Sequence, residues 1–276
     1  ILYLILIFFI LIFIELLLRI FDYGFDPEPF VRKRVNQVDF YVLNPYFINK
    51  YYPGAGKYFG VEAKNIFQVK KSENVIRGFV IGESTPQGFP YYSNNSFTKM
   101  LEISLQEVMP EKEIQIINMG FSAVTSYFIK DIALKLKKYK PDFIIIYGGH
   151  NEYYGLLGES SGKTRFLKEI NLFLKEFKLF QLLFNIIEGK NLKKFNTEVN
   201  KAGLMDAVYN KNVILPDEKL DKKVALNFIK NIDSIVKEYK NSKTSIIVME
   251  PVSNLIDMSP FKGINDDKYK DIIKEY

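Results

Sequence analysis

Between residues 75 and 249, four short apolar runs rich in β-branched residues alternate with longer stretches of helical spacing. No other feature constrains the fold as much. The runs are 75–81, 114–117, 143–147 and 244–249. Residues 96–108 place Phe97, Met100, Leu101, Leu105 and Val108 on one helical face, and 127–139 do the same with Phe128, Ile132 and Leu136. A third stretch, 224–239, repeats the pattern with Val224, Ala225, Phe228, Ile232, Ile235, Val236 and Tyr239. Strands separated by helices imply βαβ units, a parallel sheet and right-handed crossovers. Pro141 stops the second helix, and the apolar run 143–147 suits a strand buried on both faces.

In such sheets ligands bind beyond the carboxyl ends of the strands, and three strand ends carry polar residues. The first run leads into Gly82, Glu83 and Ser84, where a serine between strand and helix can expose its hydroxyl while its own N–H faces the same pocket. The second leads into Asn118, Met119 and Gly120, where a glycine lets its N–H approach a ligand closely. The third leads into Gly148, Gly149, His150, Asn151 and Glu152, with a side-chain amide able to donate. One hydroxyl, one glycine N–H and one asparagine amide at adjacent strand ends can make a nucleophile and an oxyanion hole. Taken singly, each residue has a blander reading: Ser84 as a helix-initiating serine, Gly120 as a tight-turn glycine, Asn151 as a turn or cap residue.

In this order the three blocks resemble the SGNH/GDSL hydrolase superfamily, over roughly residues 75–155, with weaker similarity at 250–254. Segments 82–91, 149–155 and 253–261 resemble more narrowly a bacterial membrane-anchored branch in which tetratricopeptide repeats often accompany the hydrolase domain. The resemblance implies a flavodoxin-like three-layer α/β/α sandwich and an acyl-serine intermediate. It implies Ser84 as nucleophile, and its N–H, the Gly120 N–H and the Asn151 amide as oxyanion donors. Glu83 stands where the family has Asp, Ala123 where it has a second glycine, and Glu152 where it has Asp. The family's catalytic histidine comes late in the domain, whereas this sequence holds a single histidine, His150. Three readings of His150 stay open: general base, pocket-lining contact with substrate, and structural residue. His150 and Asn254 are the expected substrate contacts, with Asp257 as a further pocket-lining candidate. Glu152 is expected to be structural, at a loop or helix start.

Residues 1–14 carry no charge, and the apolar run continues to Phe21 with only Glu15 and Arg19 interrupting it. Twenty-one helical residues span about 31 Å, close to the hydrocarbon thickness of a bilayer. Glu15 and Arg19, four apart with the acid first, can pair on one helix face. An uncleaved anchor, a signal peptide and a buried core helix are the competing readings, and the lack of a small-residue cleavage site before Tyr23 favours the anchor. The expected organisation is a transmembrane anchor at 1–21, a linker with peripheral strands at 22–70, and a hydrolase-like domain at 71–276 that continues beyond Tyr276. The resemblance places that domain outside the cytoplasm; the charges flanking the run do not fix the orientation. Residues 165–187 hold Phe166, Phe173, Phe177, Phe180 and Phe184 at helical spacing among lysines and glutamates, expected as a helical insertion packed on the core, with a lid or a membrane-surface helix as the alternatives.

The formal charge of +6 is scattered, with no run of five like charges, so a nucleic-acid partner is not expected. There is no cysteine, which excludes disulfides and thiolate metal sites. No cofactor and no metal are expected. The segment from Gly158 to Thr164 imitates a phosphate loop but has three residues between its glycines where that loop needs four. The expected function is hydrolysis or transfer of an acyl group on an ester, either an O-acylated polysaccharide or a lipid. The runner-up is a membrane-anchored binding or scaffold protein that keeps the fold without turnover.

Overall fold

The four apolar runs pair as the parallel sheet that their alternation with helices requires. A computed structural model describes residues 2–54, 65–91, 93–202 and 217–252. Helix α1 (Leu2–Ile20) carries the N-terminal apolar run and buries none of its side chains against the rest of the chain. Its length and composition suit a membrane span. As the spacing predicts, Arg19 Nη2 lies 2.7 Å from Glu15 Oε1.

A three-stranded antiparallel sheet follows, made of β1 (Phe30–Val35), β2 (Val38–Leu43) and β3 (Ile66–Gln68) in that order. Asn36 and Gln37, both at positive φ, form the two-residue loop of its hairpin, the geometry that matches strand twist. This sheet does not stand apart. Phe30 packs edge-on against Phe67 and Tyr139 with centroids 5.0 Å away in both cases. Arg77, almost fully buried, lays its guanidinium 4.5 Å from the Phe67 ring centroid and donates to the carbonyls of Gln68 and Tyr139 at 2.9 Å each.

The second sheet has the order β5-β4-β6-β7. Its first strand in sequence, β4 (Val75–Gly82), leads into the short helix α2 (Ser84–Gln87) and then α3 (Phe97–Val108). Next come β5 (Glu113–Gly120), α4 (Ser126–Leu136) and β6 (Phe143–Tyr147). Two helices, α5 (Arg165–Leu174) and α6 (Lys178–Ala202), precede α7 (Glu218–Tyr239) and β7 (Ser245–Met249). All strand pairs here are parallel. Counted by sequence the order is 2-1-3-4, that of a flavodoxin-like doubly wound sheet. Alternation along the strands sends side chains to two cores. Phe79, Ile81, Ile117, Met119, Ile144 and Ile146 meet α4 and α7, whereas Val80, Ile114, Ile116 and Ile145 meet Phe97, Leu101 and Leu105 of α3. The result is helices on both faces of the sheet.

Two expectations needed revision. The second strand runs from Glu113 to Gly120, longer than 114–117, because pairing with β4 continues in register to Gly82 opposite Gly120. The stretch 165–187 is broken at 175–177 into α5 and α6, and three of its five phenylalanines face outward: Phe166, Phe173 and Phe177 are exposed, Phe180 and Phe184 are half-buried, and Lys168, Leu172 and Lys175 are buried. The lysines can turn inward because each finds an acceptor there. Asn254, Asp257, the rest of the 253–261 segment and residues 267–276 lie outside the described residues.

Candidate active site

Gly82, Gly120 and Tyr147 stand side by side where β4, β5 and β6 end. The segments bearing Ser84, Gly120 and Asn151 therefore leave the sheet at one edge. Glycine is what allows α2 to sit on that edge. A Cβ at Gly82 would lie 2.0 Å from the Tyr147 carbonyl oxygen, and one at Gly120 would lie 2.3 Å from the Gln87 nitrogen. The clash at Gly120 is with the backbone of α2, so a side chain there would displace the turn that presents Ser84, whereas the backbone clash at Gly82 is with the neighbouring strand β6.

Ser84 opens α2 and is partly exposed. Among the described residues its hydroxyl makes no hydrogen bond, and its backbone N–H, one of the unpaired donors of a helix start, has no acceptor. Asn151 is buried to 5% exposure, yet its Nδ2 finds no partner among the described residues. A buried amide N–H left without an acceptor costs on the order of 1–3 kcal/mol, so such a group calls for an explanation. Gly120 has the position expected of it, but its N–H already donates to Asn118 Oδ1 at 2.9 Å. Asn118 in turn donates from Nδ2 to the Pro86 carbonyl at 2.6 Å and to Thr98 Oγ1 at 2.9 Å, fixing the end of β5 to α2 and α3.

Glu83 is the residue whose part the sequence did not reveal. It is 1% exposed, and its carboxylate accepts from the Gly149 N–H at 2.8 Å and the His150 N–H at 3.1 Å. The side chain next to the candidate nucleophile thus ties the Ser84 turn to the Asn151 turn. His150 lies beside this clamp. Its Nδ1 is 3.6 Å from Glu83 Oε2, and its Nε2 is 3.1 Å from the Val252 carbonyl oxygen. The Glu83 carboxylate, followed by the Val252 carbonyl, holds the imidazole pKa above its ordinary value, against the opposing effect of burial. Nε2 is engaged with the Val252 carbonyl and Nδ1 faces the Glu83 carboxylate, so neither ring nitrogen is directed at Ser84 by a hydrogen bond.

Glu152 has a structural place. It accepts from the Ser126 N–H at 2.6 Å and the Ser126 hydroxyl at 2.8 Å, closing the start of α4, and Asn231 donates to the same hydroxyl at 2.8 Å. Burial pushes its carboxyl up to about 7, against the lowering effect of the Ser126 bonds. The phosphate-loop lookalike is also structural: Glu159 lies 2.7 Å from Lys168 Nζ and 2.6 Å from Lys223 Nζ and accepts from Asn227 Nδ2 at 3.0 Å. Among the described residues no cluster of His, Asp and Glu is fit to hold a metal.

No family model matches the chain. No curated protein matches it either. Among solved structures it is similar to AlinE4, an SGNH-hydrolase family esterase, at 15% identity over 64% of this chain and 77% of that one, with a TM-score of 0.31. A family 3 carbohydrate esterase of Clostridium thermocellum gives 13% identity, 63% and 78% coverage and a TM-score of 0.29. A variant of Axe2, an acetyl xylan esterase of Geobacillus stearothermophilus, gives 18%, 60% and 73%, and 0.27.

Proposed function

We propose that the chain is a serine esterase or acyl hydrolase with Ser84 as its nucleophile, held at a membrane by α1. The observation that supports this best is the buried, unpartnered Asn151 amide at the same sheet edge as the unbonded Ser84 hydroxyl. A donor aimed at no protein acceptor is what an oxyanion site requires before substrate arrives. In the proposed reaction Ser84 Oγ attacks the ester carbonyl carbon and gives up its proton to solvent hydroxide. The carbonyl oxygen becomes an oxyanion that accepts from Asn151 Nδ2 and the Ser84 N–H. Collapse breaks the bond to the alkoxy group, which leaves as the alcohol on taking a proton, and water then releases the acid from the acyl-serine. The Gly120 N–H joins as a third donor only if Asn118 turns away. The ester class we favour is an O-acylated polysaccharide or a lipid.

The proton acceptor in this scheme is solvent hydroxide and not His150, whose Nε2 is held by the Val252 carbonyl and whose Nδ1 faces the Glu83 carboxylate. Acylation of Ser84 by a fluorophosphonate should then be slow and should rise with hydroxide concentration through neutral pH without levelling. Mass spectrometry should find the adduct on Ser84 and none in Ser84→Ala. Wherever ester turnover is measurable, Asn151→Ala should lower kcat/KM by about 10²–10³, roughly 3 kcal/mol, as loss of an oxyanion donor does. An adduct on another residue would remove Ser84 from its role. A pH plateau abolished by His150→Gln would make His150 the base. The second reading, a binding protein without turnover, is favoured by the engagement of His150 Nε2 with the Val252 carbonyl; it predicts no Ser84 adduct at any pH.

A further inference from the structure

Helix α5 is built inside out. Phe166 is 69% and Phe173 60% exposed, while Lys168 is fully buried and Lys175 and Lys178 nearly so. The buried ammonium groups are provided for: Lys168 pairs with Glu159 at 2.7 Å, Lys175 donates to the Lys50 carbonyl at 2.9 Å, and Lys178 to the Phe25 carbonyl at 3.0 Å. Phe166, Ile170, Phe173 and Phe177 follow at intervals of four, three and four, which puts them on one stripe. On α6 the exposed apolar residues continue with Leu183, Ile186 and Ile187. In a helix that meets water the two faces would be exchanged, so the outer face is shaped for an apolar medium.

The position of this face says which medium. Glu15 of α1 accepts from the N–H groups of Lys178 at 3.1 Å and Leu179 at 2.7 Å, closing the start of α6. The elbow between α5 and α6 is thereby fastened at the level of Glu15. That is five residues, about 7 Å at 1.5 Å per residue, back from the end of α1 toward its uncharged part.

We infer that the outer face of α5 and the first turns of α6 lie in the interfacial layer of the bilayer that α1 crosses. Phe166, Phe173 and Ile186 reach the acyl boundary, as the apolar face of an interfacial helix does. The inference rests on the reading of α1 as a membrane span. A domain on a single helix would swivel freely; this second contact fixes which side of the sheet faces the lipid.

The absence of cysteine from the sequence makes a single introduced thiol a unique probe. Full chains carrying Phe9→Cys, Phe173→Cys or Glu107→Cys would be nitroxide-labelled and reconstituted in phosphatidylethanolamine–phosphatidylglycerol vesicles. Collision with oxygen and with a water-soluble nickel chelate would then be read from power saturation. The label at 173 should show an oxygen-to-nickel accessibility ratio several-fold above that at Glu107, an exposed position on α3, and below that at Phe9 in mid-helix. A ratio at 173 equal to that at 107, with 9 in lipid, overturns the docking and leaves the anchor standing. Aqueous values at 9 as well end both readings. Shielding of 173 from both reagents, with or without spin–spin broadening, would show a second copy or another protein on this face and overturn the inference.

Discussion

His150 shows how one contact decides between chemical roles. Adjacent to Asn151 in sequence, it was open to three readings, and only the position of Glu83, 67 residues earlier, separates them. Nothing local in the sequence announces that Glu83 will fold under the 149–151 turn, because its partners are backbone N–H groups and leave no residue signature. The raised imidazole pKa gives a direct test, since the sole histidine yields a single Cε1 ring-proton signal to follow by NMR. Its midpoint should lie above 6.5, and Glu83→Gln should bring it down. The sign of the linkage follows: a folded-state pKa above the unfolded one adds stability that is complete below about 6.5 and is lost as pH rises through the folded value. Thermal unfolding should therefore show a decline across that window in the parent chain and less of one in Glu83→Gln. A midpoint at or below 6.5 would refute the clamp.

At the level of elements, strands β4 to β7 were legible because buried parallel strands read as short apolar runs, and the helices between them because their apolar positions keep helical spacing. The break between α5 and α6 was not legible. Spacing identifies a shared face but not its direction, and a face of phenylalanines is expected inward until the acceptors that take the lysines are seen. The glycines at the strand ends were read for N–H access to a ligand; their packing demand is the firmer result. Gly120→Ala should cost about 1–3 kcal/mol by overpacking, because its new Cβ meets the backbone of α2 and not a movable side chain. Urea unfolding would measure that loss. Ser84 acylation should fall with it, since the same clash displaces the turn that carries the hydroxyl. Full stability in Gly120→Ala would mean that α2 can shift freely, and the case for a rigid site would fail.

Across the whole molecule, α1 does two separable things. Its apolar length suits a bilayer, and its last turns are part of the globular structure through Glu15 and Arg19, whose Nη2 reaches the Glu176 carbonyl at 3.5 Å. The sequence showed the first and the Glu15–Arg19 pair, but not that Glu15 also closes a helix 163 residues away. Two truncations should therefore behave differently. Removing residues 1–14 should abolish carbonate-resistant membrane association while leaving the Glu15 bonds and the unfolding midpoint intact. Some weak, carbonate-sensitive binding to vesicles should remain through α5. Removing residues 1–21 should also lower the midpoint, because the N–H groups of Lys178 and Leu179 lose their acceptor. A lost helix cap costs about 1 kcal/mol, which for a domain of this size is a shift of roughly 2–4 °C. Sedimentation of carbonate-washed membranes and differential scanning fluorimetry on the two products would read the effects independently. Equal midpoints would show that Glu15 does not brace α6, and carbonate-resistant retention of the shorter truncation would show that the span lies elsewhere.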